Sequence, residues 1–260
     1  MGKVSSREQE VLEVLKHRRK LETAEIVERF SISESTARRL CASLERQGRV
    51  IRGVGGIYRL PEPGLGDDYE YDRLVSENAP QKDRIGRHAG GLLEEGDIIF
   101  LSGGTTVARL ARHLAQRLAR GELRRILVTT NSVINAELLA PHAKVLLIGG
   151  EYRPRRRDVA GPMSERMISG ARFNKCFLGV DAIDVDSGLM VFDVETGNLD
   201  ELVSARSDIK YILADSTKFK DKSFITYSAI SESHLIITDD GVDPSVVAKG
   251  KVKGIRIVTV

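Results

Sequence analysis

The sequence predicts an α/β protein in two parts: an N-terminal winged helix-turn-helix and, after it, a Rossmann-like parallel α/β domain. Three observations predict this. The first 60 of the 260 residues carry 13 Lys and Arg against 8 Asp and Glu, whereas the rest of the chain carries 27 against 29. Within that basic stretch, short segments of helical spacing lead into an alternating segment around a Gly-Gly pair. From about Gln81 onward, apolar runs alternate with helical patterns, as in a parallel sheet covered by helices. The expected domains are 1–60, a connecting segment 61–80, and 81–260.

In the head, Val11, Leu12, Val14 and Leu15 recur at helical spacing, with Glu8 and Glu10 early, where a helix N-terminus favours negative charge. Thr23 is the expected N-cap of a second helix that turns Ile26, Val27 and Phe30 inward. Ser33 is the expected cap of a third helix, which runs to about Gln47 and stops at Gly48. Ala37, Leu40, Cys41 and Leu44 form its apolar stripe, so Cys41 reads as core. Its opposite side carries Ser35, Arg39, Ala42 and Arg46, flanked by Thr36 and Arg38. Small residues mixed with arginines suit a helix entering the major groove, where Arg grips phosphate or the edge of guanine. "RVIRGVGGIYRL" then reads as a two-stranded wing, offering Arg49, Arg52 and Arg59 to a backbone. The candidate DNA-contacting set is Ser33, Ser35, Thr36, Arg38, Arg39, Arg46 and Arg52.

"PEPGLGDDYEYD" (61–72) has five acidic residues and no basic one, and its prolines and glycines mark a boundary. The two cysteines, Cys41 and Cys176, form no disulfide framework and no metal-ligand spacing, so neither cofactor nor metal is expected. The chain has no long apolar run and no basic-then-apolar leader, which predicts a cytoplasmic protein without a membrane partner.

Seven runs are the candidate strands of the body: "DIIFL", "RILVTT", "KVLLIG", "KCFLGV", "KYILAD", "HLIIT" and "IRIVTV". Parallel sheets bind ligands at their strands' carboxyl ends, so the residues just after each run carry the functional information. Five of these ends are rich in small, hydroxyl, Asp and Lys residues: "SGGTT" (102–106), "NS" (131–132), "GG" (149–150), "VDAID" (180–184) and "DSTK" (215–218). Gly103 and Gly104 let backbone N–H groups approach an anion, Thr105 and Thr106 add hydroxyls, and the following helix adds its positive end. Lys218 adds a cation, and Asp181 and Asp215 can accept sugar hydroxyls. A single "GGTT" is an ordinary turn; five such ends together describe a site for a phosphorylated sugar or polyol. Neither nucleotide fingerprint, G-x-x-x-x-G-K-[ST] or G-x-G-x-x-G, occurs.

Taken in order, "S-x-S-T-A-R-R-L", "RVIRGVGG", "KDRIGRHAGGLLEEGDIIFLSGGTT", "TTNS", "LIGGEYRPRRRDVAGP", "CFLGVDAIDVDSGL" and "LADSTKF" resemble the DeoR-type sugar-responsive transcriptional regulators. The resemblance spans nearly the whole chain. It implies a sensor domain related to ribose phosphate isomerase and the CoA-transferases. It also implies a homo-oligomer that represses at double-stranded operator DNA until a phosphorylated sugar effector releases it. Carried over by position, the effector-facing residues are Ser102, Gly103, Gly104, Thr105, Thr106, Asn131, Gly149, Gly150, Asp181 and Lys218, with Arg38 and Arg39 on the DNA-reading helix. The chain departs from the family pattern at Leu40-Cys41 (usually Asp-Leu), at Ser102-Gly103 (usually Asp-Ser), and in "ETGNLDE" (195–201), which lacks the usual lysine.

The rival reading is a phosphosugar isomerase or transferase with a DNA-binding head, in which Asp181, Asp184 and Lys218 supply base and cation. No histidine falls at a strand end with a partner, and the residues favour a sensor over an enzyme. A DNA-compaction protein would be more basic and would not need the polar strand ends. Arg153, Arg155, Arg156 and Arg157 are expected to form a solvated loop.

Overall fold

The chain forms two compact units in a computed structural model, which describes residues 6–16, 20–53, 56–59, 69–220 and 223–260. Contacts divide the chain into Met1–Asp67 and Asp68–Val260. Most of the acidic stretch, 61–68, and the wing tip at 54–55 lie outside the described residues.

In the first unit, α1 (Ser6–Lys16), α2 (Thr23–Phe30) and α3 (Glu34–Arg46) pack around Val11, Leu15, Leu21, Ile26, Cys41 and Leu44. Cys41 is core, as its stripe predicts. The N-cap of α2 is Glu22 rather than Thr23, in a capping box whose return bond runs from the Glu22 N–H to Glu25 Oε2 at 3.1 Å. Ser33 caps α3 as expected, its hydroxyl accepting the Thr36 N–H at 3.3 Å. Gly48 ends the helix with a left-handed φ of 63°. The wing has one strand more than its sequence announces: β1 (Lys20–Glu22) pairs with β3 (Gly56–Arg59), which pairs with β2 (Val50–Gly53). Gly56 permits this, because a Cβ there would lie 2.3 Å from the Leu21 carbonyl oxygen.

In the second unit, α4 (Tyr71–Leu74) and α5 (Ala79–Gly91) precede the sheet, so ordered structure begins well before residue 81. Next come β4 (Ile98–Leu101), α6 (Thr105–Ala119), β5 (Leu127–Thr130), α7 (Val133–Leu139) and β6 (Lys144–Leu147). A hairpin of β7 (Glu151–Arg153) and β8 (Asp158–Ala160) follows, then α8 (Pro162–Ile168) and β9 (Phe173–Gly179). The chain continues through β10 (Ala182–Asp184), β11 (Gly188–Val191), α9 (Val194–Ala205) and β12 (Ser207–Leu213). It ends with a 3₁₀ turn (Ser216–Phe219), β13 (Ile225–Ser228), β14 (His234–Thr238), α10 (Pro244–Val252) and β15 (Arg256–Thr259).

All seven expected runs join one parallel sheet in the order β15-β14-β12-β9-β4-β5-β6. From β4 the chain winds outward one way through β5 and β6. It then restarts at β9 and winds the other way, so the topology switches between β4 and β9. Ile99, Leu101, Val107, Leu110, Leu114 and Phe177 form the core under α5 and α6, with Phe177 stacked on Tyr211 at 4.7 Å. The β7–β8 hairpin and the small antiparallel sheet β10-β11-β13 are elements the alternating pattern does not announce.

Candidate functional site

The switch between β4 and β9 opens a polar cavity at the carboxyl ends of the strands. Ser102 clamps its base: its N–H donates to the Phe177 carbonyl (3.0 Å), and its hydroxyl accepts the Gly179 N–H (3.0 Å). Gly104 and Gly179 then face each other, a Cβ on Gly104 falling 3.5 Å from the Gly179 Cα. That is ordinary contact, so the backbone at Gly104 has room for a methyl group. Gly103 is tighter, since a Cβ there would stand 3.0 Å from the Asp158 carboxylate. Gly104 is the N-cap of α6 and supplies no side-chain cap, which leaves first-turn N–H groups directed at the cavity beside the buried Thr105 and Thr106.

Asn131 lines the same space. Its amide donates to the Val159 carbonyl at 3.2 Å, while its buried Oδ1 has no hydrogen-bond partner among the described residues. Asp181 accepts the Phe192 N–H at 2.8 Å through one oxygen, and Lys218 stands half-buried at the rim. Asp215 is buried as the cap of the 3₁₀ turn and accepts from Asn78 Nδ2 at 3.3 Å.

Two expected residues stay outside the lining. Gly149 accepts the Ser164 hydroxyl at 2.7 Å, and a Cβ on Gly150 would lie 2.2 Å from that same hydroxyl oxygen. Gly150 lets the chain pass close against α8, whereas a Cβ on Gly149 would meet only Met167 Sδ at an ordinary 3.5 Å. Asp184 is not at the cavity either; it accepts the N–H groups of Asp186 and Ser187, which holds its carboxyl below the usual carboxylate range.

The arginine segment is not a solvated loop. Arg153 grips Asp158 with two bonds of 2.8 Å and also pairs with Asp193. Burial opposes its charge, but the two carboxylates outweigh burial and hold the guanidinium protonated. Arg156 is buried in the cavity wall with its guanidinium carbon 4.1 Å from the Tyr69 ring centroid. Only Arg155 and the pairing of Arg157 with Asp72 (3.4 Å) keep a surface character.

Sequence reasoning also missed Tyr69, Asn78, Lys82, Asp158 and Asp200 in the lining. Three of them come from the segment ahead of the sheet, which is tied down by the Tyr71 N–H on the Arg155 carbonyl (2.8 Å) and by Lys82 Nζ on the Leu74 carbonyl (2.7 Å). Burial lowers the pKa of Lys82, Asp215 opposes the shift and Lys218 adds to it. The one available signal was amphipathic: Lys82 shares a helical face with Ile85 and Ala89, all buried.

In the first unit, α3 exposes Ser35, Arg38, Arg39 and Arg46, with Thr36 half-buried, and Ser33 and Arg52 are exposed beside it. Arg38 pairs with Glu34 (2.6 Å) and Arg52 with Glu45 (3.4 Å). Arg39 and Arg46 instead direct Nε to carbonyls of their own helix, those of Ser35 and Ala42 (both 3.3 Å), and have no carboxylate partner among the described residues.

Comparison with known proteins brings both units together. Residues 7–62 match the DeoR-like helix-turn-helix domain, and residues 77–240 match the DeoR C-terminal sensor domain. The HTH-type transcriptional regulator GlpR of Haloferax volcanii is 31% identical over 81% of this chain and 80% of its own. The glycerol-3-phosphate regulon repressor of Escherichia coli is 29% identical over 91% of each chain, and the lactose phosphotransferase system repressor of Staphylococcus epidermidis 29% over 89% and 90%. Among solved structures, a D-ribose-5-phosphate isomerase overlays 54% of each chain at 18% identity and TM-score 0.42. The sorbitol operon regulator SorC of Klebsiella pneumoniae overlays 82% of this chain and 90% of its own at 14% identity and TM-score 0.36.

Proposed function

The chain belongs to the DeoR family of DNA-binding transcriptional regulators, and from that premise we propose that it represses a sugar or polyol operon and is released by a phosphorylated sugar bound at the β4–β9 switch. The observation that carries this reading is the cavity's lining. The uncapped N-terminus of α6, Lys82 and Lys218 offer an anion its donors, while Asn131 and Asp181 offer hydroxyls their acceptors. Catalysis has no part in the reading: the relatives it resembles are named as regulators, and of the two carboxylates that an isomerase reading offered, Asp184 caps a turn away from the cavity.

Coupling to DNA follows from the wall of the cavity. Tyr69, Asn78 and Lys82 belong to the segment that the head leads into along the chain. An effector that touches them biases that segment, and through it the state in which the heads meet an operator. By linkage, the effector can change operator affinity only as far as it binds the two states unequally. One winged helix reads one half-site, so the regulator acts as a homo-oligomer on a repeated operator.

The test is a thermal-shift panel of glycerol 3-phosphate, ribose 5-phosphate, fructose 1-phosphate and fructose 6-phosphate, each against its unphosphorylated parent and inorganic phosphate. Operator binding with and without the best compound follows. The reading expects one sugar phosphate to raise the melting temperature and weaken operator binding. A panel in which none does so removes it.

A further inference from the structure

The charges around the cavity fall into two sets. The strongest acting on Lys82 are Asp215, Lys218, Glu77 and Arg109. The strongest acting on Asp200 are Asp158, Arg156, Arg153 and Asp181. Anionic ligand groups are favoured on the lysine side, where two ammonium groups share one space. The Asp200 side carries three carboxyl groups against the guanidinium groups of Arg156 and Arg153, the latter already taken up by Asp158 and Asp193, and it suits neutral polar groups.

Asp200 projects from α9 and is 2% exposed, yet it lines the cavity. Among the described residues its side chain has no hydrogen bond and no ion pair. Burial drives its carboxyl well above the usual carboxylate range, Asp158 and Asp181 add to this, and Arg156 and Arg153 oppose it. Asn131 Oδ1 is likewise buried, unpartnered and part of the lining. The Tyr227 hydroxyl, on β13, is also buried without a partner and feels the Asp200 carboxyl. Unpaired buried polar groups cost stability, and the Asp200 carboxyl and Asn131 Oδ1 in one cavity lining are the mark of a wall completed by a ligand. A protonated carboxyl donates once and accepts as well, and so does a hydroxyl, so the two match. A phosphate brings negative charge beside Asp158 and Asp181 and matches poorly.

We propose that Asp200 is the specificity-determining residue of this pocket, its carboxyl and the Asn131 amide bonding hydroxyls on the effector's carbon chain. The pocket thereby selects a polyhydroxylated phosphate over inorganic phosphate. The inference rests on the sugar-phosphate reading above and adds to it the residue that reads the sugar.

Calorimetric titration of the full chain tests it, with inorganic phosphate and the four sugar phosphates named above as probes. The best-bound sugar phosphate loses about tenfold or more in affinity in Asp200→Leu and stays within about threefold in Asp200→Asn, whose amide still donates and accepts. Inorganic phosphate binds all three proteins alike, within about twofold, because its donors are elsewhere. Without ligand, Asp200→Leu melts no lower than wild type, since the leucine removes an unpaired polar group of similar size. Should that variant not fold, Asp200→Ala takes its place in the titrations. Undiminished sugar-phosphate binding in the leucine or alanine variant overturns the inference and leaves the pocket reading standing. Equal loss of inorganic phosphate and sugar phosphate also overturns it, because Asp200 would then shape the whole cavity. If wild type binds no sugar phosphate better than inorganic phosphate, the pocket reading falls and takes the inference with it.

Discussion

The exposed face of α3 and the cavity at the β4–β9 switch are both polar surfaces, but they are built in opposite ways. The α3 face comes from a single 13-residue helix, its side chains exposed and its two most available arginines resting only on their own helix. The cavity is assembled from segments as far apart as Tyr69 and Lys218, and Asp158, Arg156 and Asp200 in it are buried. A surface of the first kind loses one contact when one residue changes. In the second kind a removed partner strands another buried group, so each change reaches further.

The largest effect is therefore expected at Arg153. Its removal strands Asp158 and Asp193 together, and Arg153→Ala should destabilise the second unit by about 3–5 kcal/mol in urea denaturation. A loss under about 1 kcal/mol, the range of an exposed pair, would erase the contrast between the two surfaces.

Gly104→Glu comes next. It sets a carboxylate at the N-terminus of α6 and a long side chain against Gly179. The coupling between effector and operator, about 1–3 kcal/mol in a typical regulator, should vanish while effector-free operator affinity stays at the wild-type level. A variant that still responds would leave the phosphate to Lys82 and Lys218 alone, without residues 102–106.

On the α3 face, Arg39→Ala should weaken specific operator binding by about 1–3 kcal/mol if Arg39 reads a base. Equal losses on specific and nonspecific DNA would make Arg39 a phosphate contact instead. Arg38→Ala should cost less, because Arg38 spends its charge on Glu34. The reverse ranking in electrophoretic or anisotropy titrations would reassign the reading edge of α3.

The smallest and sharpest effect is a pH dependence at Asp200. Its folded carboxyl ionises well above the unfolded one, so from about pH 4 upward the unfolded state gains a charge that the folded state resists. Stability is lost as pH rises through that window. Asp200→Asn cannot ionise, so its advantage over wild type should grow from pH 4 toward neutrality in urea titrations. A constant difference across pH would mean that Asp200 ionises freely in the folded protein.

Much of this architecture is legible without coordinates. All seven strand runs of the parallel sheet, the Ser33 cap, the Gly48 stop and the Cys41 core position follow from local rules: apolar period, capping oxygen, left-handed glycine. Ser102 to Thr106, Asn131, Asp181 and Lys218 are also legible, since strand-end position in a parallel sheet predicts where they converge. The sequence by itself determined the seven strands of the parallel sheet and four of the five strand ends that meet at the cavity.

Only the tertiary structure decided the rest. In one dimension Arg153 and Arg156 look like any charged loop; a hairpin and α9 bring Asp158 and Asp193 to the first, and the preceding segment brings Tyr69 to the second. Gly149 and Gly150 look like a ligand turn until α8 packs across them. Asp200 sits in a helix with no sign that it is buried. The physical reason is common to all of these. Period and capping depend on neighbours along the chain, whereas desolvation and pairing of a charge depend on whatever the fold packs against it, such as Asp193, which lies 40 positions from Arg153.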